Sequence, residues 1–245
     1  MCSLSPVVKP AFKLTSPQTG TEYWIHVSVP TSAGLWPAVL CMDGDFVFNG
    51  PVDLGPALAR TPALLVGVAY GAGFGSAKNK RGRDYTPVAH ADEPSSGGAD
   101  AFLKFLTDTL WPELAKRYPV NPAVRGIAGH SLGSLLVLHA LFQPKPFFTH
   151  HLASAPSIRW ADRAILQQAA ELRAKQSILP GKLFLSVGDE DTDSMTGDLK
   201  LLEQQLAAKP FAQLEIISRR FPGKDHYNVV PEAFETGLAA LFGLQ

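Results

Sequence analysis

Val124-Arg125-Gly126-Ile127-Ala128-Gly129-His130-Ser131-Leu132-Gly133-Ser134-Leu135-Leu136-Val137-Leu138 is the stretch on which the fold turns. Val124 to Ala128 reads as a short strand of the kind buried on both faces of a parallel sheet. Leu132 to Phe142 is almost wholly apolar and reads as a buried helix. Between them stands Gly129-x-Ser131-x-Gly133. A turn this sharp strains its central residue, and flanking glycines remove the side chains that would clash. The Ser131 hydroxyl then projects above the sheet. The first N–H groups of the helix, Leu132 foremost, face an oxyanion forming beside it. The five-residue pattern alone is common; the strand before it and the helix after it give it weight.

The same alternation extends in both directions. Short apolar runs at Ala38 to Met42, Ala63 to Val68 and Leu183 to Val187 match the strand before Ser131, and Leu214 to Ser218 is a last candidate. Helical patterns lie at Ala99 to Tyr118, Arg163 to Lys175, Leu199 to Ala208 and Pro231 to Leu244. Pro112 should kink or restart the first of these. Near the N-terminus, the turn signal Ser16-Pro17-Gln18-Thr19-Gly20 precedes the alternating run Tyr23 to Val29, which reads as an antiparallel hairpin at a sheet edge. The expected fold is α/β: a mostly parallel central sheet, helices on both faces, an antiparallel N-terminal edge, and one domain over residues 1–245. Gly71 to Gly98 stands apart, with little periodicity and much Gly, Pro and charge. A stretch that long is functional or disordered, and it is placed as a long loop over the site.

A serine hydroxyl needs a base within hydrogen-bond reach. On a sheet of this kind the nucleophile is followed in the chain by the acid and then by histidine. Of the 7 histidines, His226 lies just past the last strand, at the carboxyl end of the sheet where open α/β sheets build sites. His150 and His151 have nothing acidic between them and Ser131. Being adjacent in a strand, they point to opposite faces and cannot share a metal ion. The acid should come from Gly188-Asp189-Glu190-Asp191-Thr192-Asp193, with Asp191 favoured, then Glu190, then Asp189. Asp225 is disfavoured because neighbouring side chains diverge in an extended segment. The second oxyanion donor should come from Asp43-Gly44-Asp45-Phe46: Gly44 allows close approach, and the N–H of Asp45 is the candidate partner for that of Leu132.

Composition narrows the alternatives. The 245 residues are 46% hydrophobic and 18% charged, with 22 basic and 22 acidic side chains. This balance gives no general pull toward nucleic acid or an anionic membrane, and no nucleic-acid-reading motif is present. The 2 cysteines, Cys2 and Cys41, exclude a disulfide framework and a four-cysteine zinc site. No run of about 18 apolar residues exists to cross a membrane. Met1 to Pro6 lacks a basic start followed by an apolar block, so the expected location is cytoplasmic, or periplasmic if a leader was removed. Gly71-Ala72-Gly73-Phe74-Gly75 fails as a dinucleotide fingerprint: the third glycine position falls on Ser76 and no helix follows. Lys78, Lys80, Arg81 and Arg83 lie close together and read either as a solvated charged loop or as a basic rim suited to an anionic substrate. Trp160 and Phe46 are candidates for an aromatic pocket near the serine. His130 is given no chemistry, and no oligomeric state is assigned.

Taken together, Met42-Asp43-Gly44-Asp45, Arg83-Asp84-Tyr85-Thr86-Pro87, Gly129-His130-Ser131-Leu132-Gly133, Pro156-Ser157-Ile158-Arg159-Trp160 and the loop around His226 resemble the esterase branch of the α/β-hydrolase fold, the group with siderophore esterases and esterase D-like enzymes. The likeness runs from about residue 20 to the end. Arg159 stands where the family usually has a second aromatic. The resemblance implies hydrolysis of a carboxylic ester of a small molecule through an acyl-enzyme, without metal or organic cofactor, with a siderophore or other anionic or aromatic ester as substrate. Thioester cleavage, as in S-formylglutathione hydrolase-like enzymes, and polysaccharide deacylation are alternatives for the same triad. A non-catalytic scaffold of the same fold is the third class.

Overall fold

The computed structural model describes residues 9–31, 33–49 and 54–243. Among them eight strands form one sheet: β1 (Phe12–Thr15), β2 (Glu22–Ser28), β3 (Trp36–Cys41), β4 (Leu64–Ala69), β5 (Val120–His130), β6 (His150–Ser154), β7 (Ile178–Gly188) and β8 (Ala212–Phe221), in the order β1-β2-β4-β3-β5-β6-β7-β8. β1, β2 and β4 pair antiparallel; every other pairing is parallel. The N-terminal hairpin therefore forms the antiparallel edge that its alternating pattern demanded, and β5, which carries the serine turn at its end, is central.

Side-chain alternation along the inner strands divides the core in two. Leu40, Val66, Ile127 and Leu185 point to one face; Val39, Leu65, Ala128 and Phe184 point to the other. On the first face lie α4 (Ala99–Lys104), α5 (Trp111–Arg117), α6 (Leu132–Leu141), α7 (Trp160–Lys175) and α8 (Asp193–Ala208). On the second lie α1 (Gly44–Asn49), α2 (Gly55–Arg60) and α9 (Val230–Phe242). Every residue of α6 from Gly133 to Leu141 is buried, as its unbroken apolar sequence requires. Cys41 is fully buried, and burial pushes its thiol up to about 12, so it behaves as a small hydrophobe. Cys2 lies outside the described residues.

Several elements differ from the sequence expectation. The helix restarts at Pro112, one of the two expected outcomes, but through an element the sequence did not suggest. α4 runs into a π-helical turn, Phe105–Leu110, before α5 begins. Pro112 has no N–H to donate back into that turn, and the backbone accommodates it by widening. Residues 71–98 are not structureless: they hold α3 (Arg81–Asp84) and a short bridge between His90 and Glu93. α8 starts six residues before Leu199, because Thr192 caps it by accepting the Met195 N–H at 3.4 Å. The turn after β3 becomes α1, with the Asp43 carbonyl accepting the N–H groups of Phe46 and Val47.

His151 is fully enclosed within the sheet, its Nδ1 3.2 Å from the Lys182 carbonyl oxygen. Burial pushes its pKa from 6.5 down to about 4. Between those values the unfolded chain binds a proton that the folded chain refuses, so stability falls as pH drops through that window. The loss amounts to about 3 kcal/mol at full effect. Melting temperature measured from pH 7 to 4 should fall less steeply in His151→Gln; an unchanged slope would contradict this source of acid sensitivity.

Candidate active site

Ser131 occupies the turn between β5 and α6 with φ 56° and ψ −119°, a conformation that an L-residue holds only under constraint. The constraint comes largely from β6 and the loop that follows it. The Ser131 N–H donates to the Ser154 carbonyl at 2.9 Å, and the Ser157 N–H donates to the Ser131 carbonyl at 3.2 Å. The Ser134 hydroxyl lies 2.7 Å from the Gly129 carbonyl and 2.6 Å from that of Ser154. Gly129 is required by space, since a Cβ there would lie 2.4 Å from the Gly133 carbonyl carbon. The N–H groups of Leu132 and Gly133 open α6, where no earlier helical carbonyl can take them.

The loops after β7 and β8 are tied together before they reach the serine. The Gly223 N–H donates to Asp189 Oδ1 at 2.7 Å, and the Glu190 N–H donates to the Lys224 carbonyl at 3.0 Å. Asp189 is thus a strut between loops, and Glu190 is exposed. Asp191 alone of the three turns inward and is buried. Its Oδ1 accepts the Thr192 N–H at 2.7 Å, while Oδ2 lies 2.7 Å from His226 Nδ1. His226 Nε2 lies 3.0 Å from Ser131 Oγ. The structure therefore brings Ser131, His226 and Asp191 into one hydrogen-bonded chain. Asp225 is held away, its carboxylate accepting the N–H groups of Tyr227 and Asn228 at 2.8 Å each. The His130 ring packs against His226 with centroids 4.6 Å apart. Burial, with the charges of His226 and Arg81, pushes the His130 pKa down to about 3. It stays uncharged at neutral pH and adds bulk without a second positive charge.

Ser131 and His226 open into a cavity of about 140 Å³ walled by Met42, Asp43, Phe46, Phe74, Arg81 and Tyr227 among others. Phe46 is present, stacked on Phe74 at 5.9 Å between centroids. Arg81 is present but already committed, with Nε and Nη2 each 3.0 Å from the Asp43 carboxylate, which is 7% exposed. Its charge is largely spent on that carboxylate, so the free basic rim reduces to the exposed Lys78 and Lys80. Gly44 backs onto Gly67, where a Cβ would meet backbone at 2.6 Å. The Asp45 carboxylate accepts the N–H groups of Tyr70 and Gly71, at 2.7 and 3.1 Å. From this loop the cavity wall is made by the neighbours Asp43 and Phe46, and neither Gly44 nor Asp45 lines it.

Two expected binding residues are not brought to the cavity. Arg83 donates to Asp84 Oδ1 at 2.7 Å and to Thr21 Oγ1 at 2.9 Å, bracing the edge hairpin. Asp84 is fully buried and also accepts from the hydroxyls of Tyr23 and Tyr70, at 2.7 and 3.0 Å. A buried carboxylate stripped of its cation costs about 3–5 kcal/mol, which accounts for Arg83 without any substrate. Trp160 donates its indole N–H to the Val88 carbonyl at 2.8 Å and packs on His90, pinning the long loop. The sequence reading missed Asp43, Phe74 and Tyr227 as lining residues, and Ser157, whose Oγ lies 3.4 Å from Ser131 Oγ. Ser157 stood in the quoted Pro156–Trp160 string; nothing in the sequence marks Phe74 or Tyr227.

Residues 16–227 match the family model described as "Putative esterase". Ferri-bacillibactin esterase BesA of Bacillus subtilis is 27% identical over 246 residues, covering 89% of this chain and 84% of its own. Apo-salmochelin esterase of Escherichia coli is 24% identical over 242 residues, covering 91% of this chain and 75% of its own. The crystal structure of BES protein from Bacillus cereus superposes with a TM-score of 0.81 at 27% identity, over 93% of this chain and 92% of that one.

Proposed function

This chain belongs to the esterase family of the α/β-hydrolase fold and is a carboxylic ester hydrolase; from there we propose that its substrate is a siderophore-type ester, cleaved through an acyl-enzyme on Ser131. The observation that carries the mechanism is the unbroken chain from Asp191 Oδ2 through His226 to Ser131 Oγ, with contacts of 2.7 and 3.0 Å. Asp191 accepts a hydrogen bond from the His226 Nδ1–H, holding the proton on that nitrogen and leaving Nε2 free to act as base. Ser131 Oγ bonds to the ester carbonyl carbon as its proton passes to Nε2, and the carbonyl electron pair moves onto oxygen. The N–H of Leu132, at the start of α6, receives that oxyanion. Collapse expels the alcohol, which takes the proton from His226. Water then repeats the sequence on the acyl-enzyme and restores Ser131.

The cavity of about 140 Å³ is well below the ~300–1,000 Å³ of sites that engulf a drug-sized ligand. Only the acyl segment at the scissile bond fits inside. The remainder of a large ester lies across Phe74 and Tyr227, which are 55% and 72% exposed and offer flat faces to aromatic rings. Lys78 and Lys80, exposed on the stretch between Phe74 and Arg81, draw in an anionic ester. BesA and the salmochelin esterase, by their names, act on siderophores. Turnover of an iron-loaded catecholate trilactone, p-nitrophenyl acetate, S-formylglutathione and an acetylated polysaccharide should be compared. The trilactone is expected to show the highest kcat/KM, and Lys78→Gln with Lys80→Gln should raise KM for it alone. Preference for the thioester or the polysaccharide would replace this substrate assignment.

A further inference from the structure

We infer that the Ser157 hydroxyl is a further catalytic group, donating a hydrogen bond to Ser131 Oγ whenever that oxygen carries negative charge. The inference rests on the reading of Ser131 as nucleophile. The Asp191 carboxylate can only accept, so the 2.7 Å contact requires the proton on His226 Nδ1. Nε2 of the neutral ring is then a lone pair, and the 3.0 Å contact requires Ser131 to be the donor. A hydroxyl has one proton, so Ser131 has none left for Ser157. In the remaining contact, 3.4 Å between the two hydroxyl oxygens, Ser157 is the donor and Ser131 the acceptor.

Ser157 is well placed for this task. It is 6% exposed, and its backbone N–H holds the Ser131 carbonyl at 3.2 Å, so its Cβ is fixed relative to the nucleophile. Among the described residues its hydroxyl has no other hydrogen-bond partner competing for the proton. At 3.4 Å the resting bond is long. It strengthens when Oγ gains charge, both as Ser131 attacks and as Oγ is expelled from the acyl-enzyme, because a charged acceptor makes a shorter and stronger bond. In the acyl-enzyme itself Oγ is an ester oxygen and a poor acceptor, so the stabilisation is largely confined to the transition states, where it accelerates. Ser157 donates without surrendering its proton; the proton that moves remains the one exchanged between Ser131 and His226.

Ser157→Ala deletes the hydroxyl and keeps the backbone N–H that holds Ser131. It should lower kcat on p-nitrophenyl acetate by roughly ten- to a hundredfold, the range for one charge-assisted hydrogen bond, with KM and melting temperature little changed. The rate of covalent labelling by a fluorophosphonate, which reports attack by Oγ without ester turnover, should fall in parallel. Ser157→Thr, which restores the hydroxyl, should recover most of both rates. Ser157→Ala with both rates within about twofold of the parent would overturn the inference. So would equal losses in the Ala and Thr variants, which would mark a packing role. Turnover surviving in Ser131→Ala, measured in the same assay, would instead reject the underlying assignment of the nucleophile.

Discussion

Ser131→Ala should lower kcat for ester hydrolysis by roughly 10⁴- to 10⁶-fold, the range seen when a serine nucleophile is removed from a triad. The fold should survive the change. The strained backbone at φ 56° is held by Ser154, Ser157 and Ser134, and alanine bears the same Cβ as serine. The variant should therefore melt at or slightly above the parent temperature, since a functional group held under strain is removed. A fluorophosphonate should label the parent on the peptide carrying Ser131 and leave the variant unlabelled. Substantial residual turnover, or a label at another residue of the folded parent, would contradict the mechanism.

Asp191→Asn is expected to be nearly as damaging, with a loss of about 10³- to 10⁴-fold in kcat at neutral pH. The carboxylate only accepts from His226 Nδ1, at 2.7 Å. An amide can present an N–H there instead, which favours the ring tautomer with its proton on Nε2, and that nitrogen can no longer take the Ser131 proton. Two acidic neighbours provide the controls. Glu190→Gln should leave kcat unchanged, because Glu190 is exposed. Asp189→Asn should act mainly on stability, by weakening the Gly223 contact at 2.7 Å that ties the two loops. Kinetic constants for the three variants side by side decide the matter. If Asp191→Asn and Glu190→Gln behave alike, the acid assignment fails.

The acidic loop also shows where sequence reading stops. Asp189, Glu190, Asp191 and Asp193 are chemically near-equivalent as letters. What separates Asp191 is the path of a loop more than thirty residues away: Lys224 and Gly223 engage Glu190 and Asp189 from outside, and His226 reaches Asp191 from within. The basic rim failed as a group for a similar reason. Arg81 and Arg83 are two residues apart, yet each met a different buried carboxylate, Asp43 and Asp84, and a buried carboxylate takes the nearest cation first. Trp160, a candidate for the aromatic pocket, instead pins the long loop, because its indole N–H finds the Val88 carbonyl there. α1 and α3 escaped notice because six and four residues are too few to show a helical period.

By itself, the sequence determined whatever depends on local pattern: unbroken apolar runs that can only be inner strands, the alternating edge hairpin, the apolar α6, and the glycine-flanked turn that exposes Ser131. Those features are short-range, because backbone strain and side-chain periodicity act over a few residues. Only the tertiary structure decided which carboxylate faces His226, which arginine is spent, how small the cavity is, and that Ser157 stands beside the nucleophile. The Asp191–His226, Arg81–Asp43 and Ser157–Ser131 contacts join residues 35, 38 and 26 apart in sequence. Spacing along the chain carries no record of such meetings; they are set by how the loops at the carboxyl ends of β3 to β8 pack over one another.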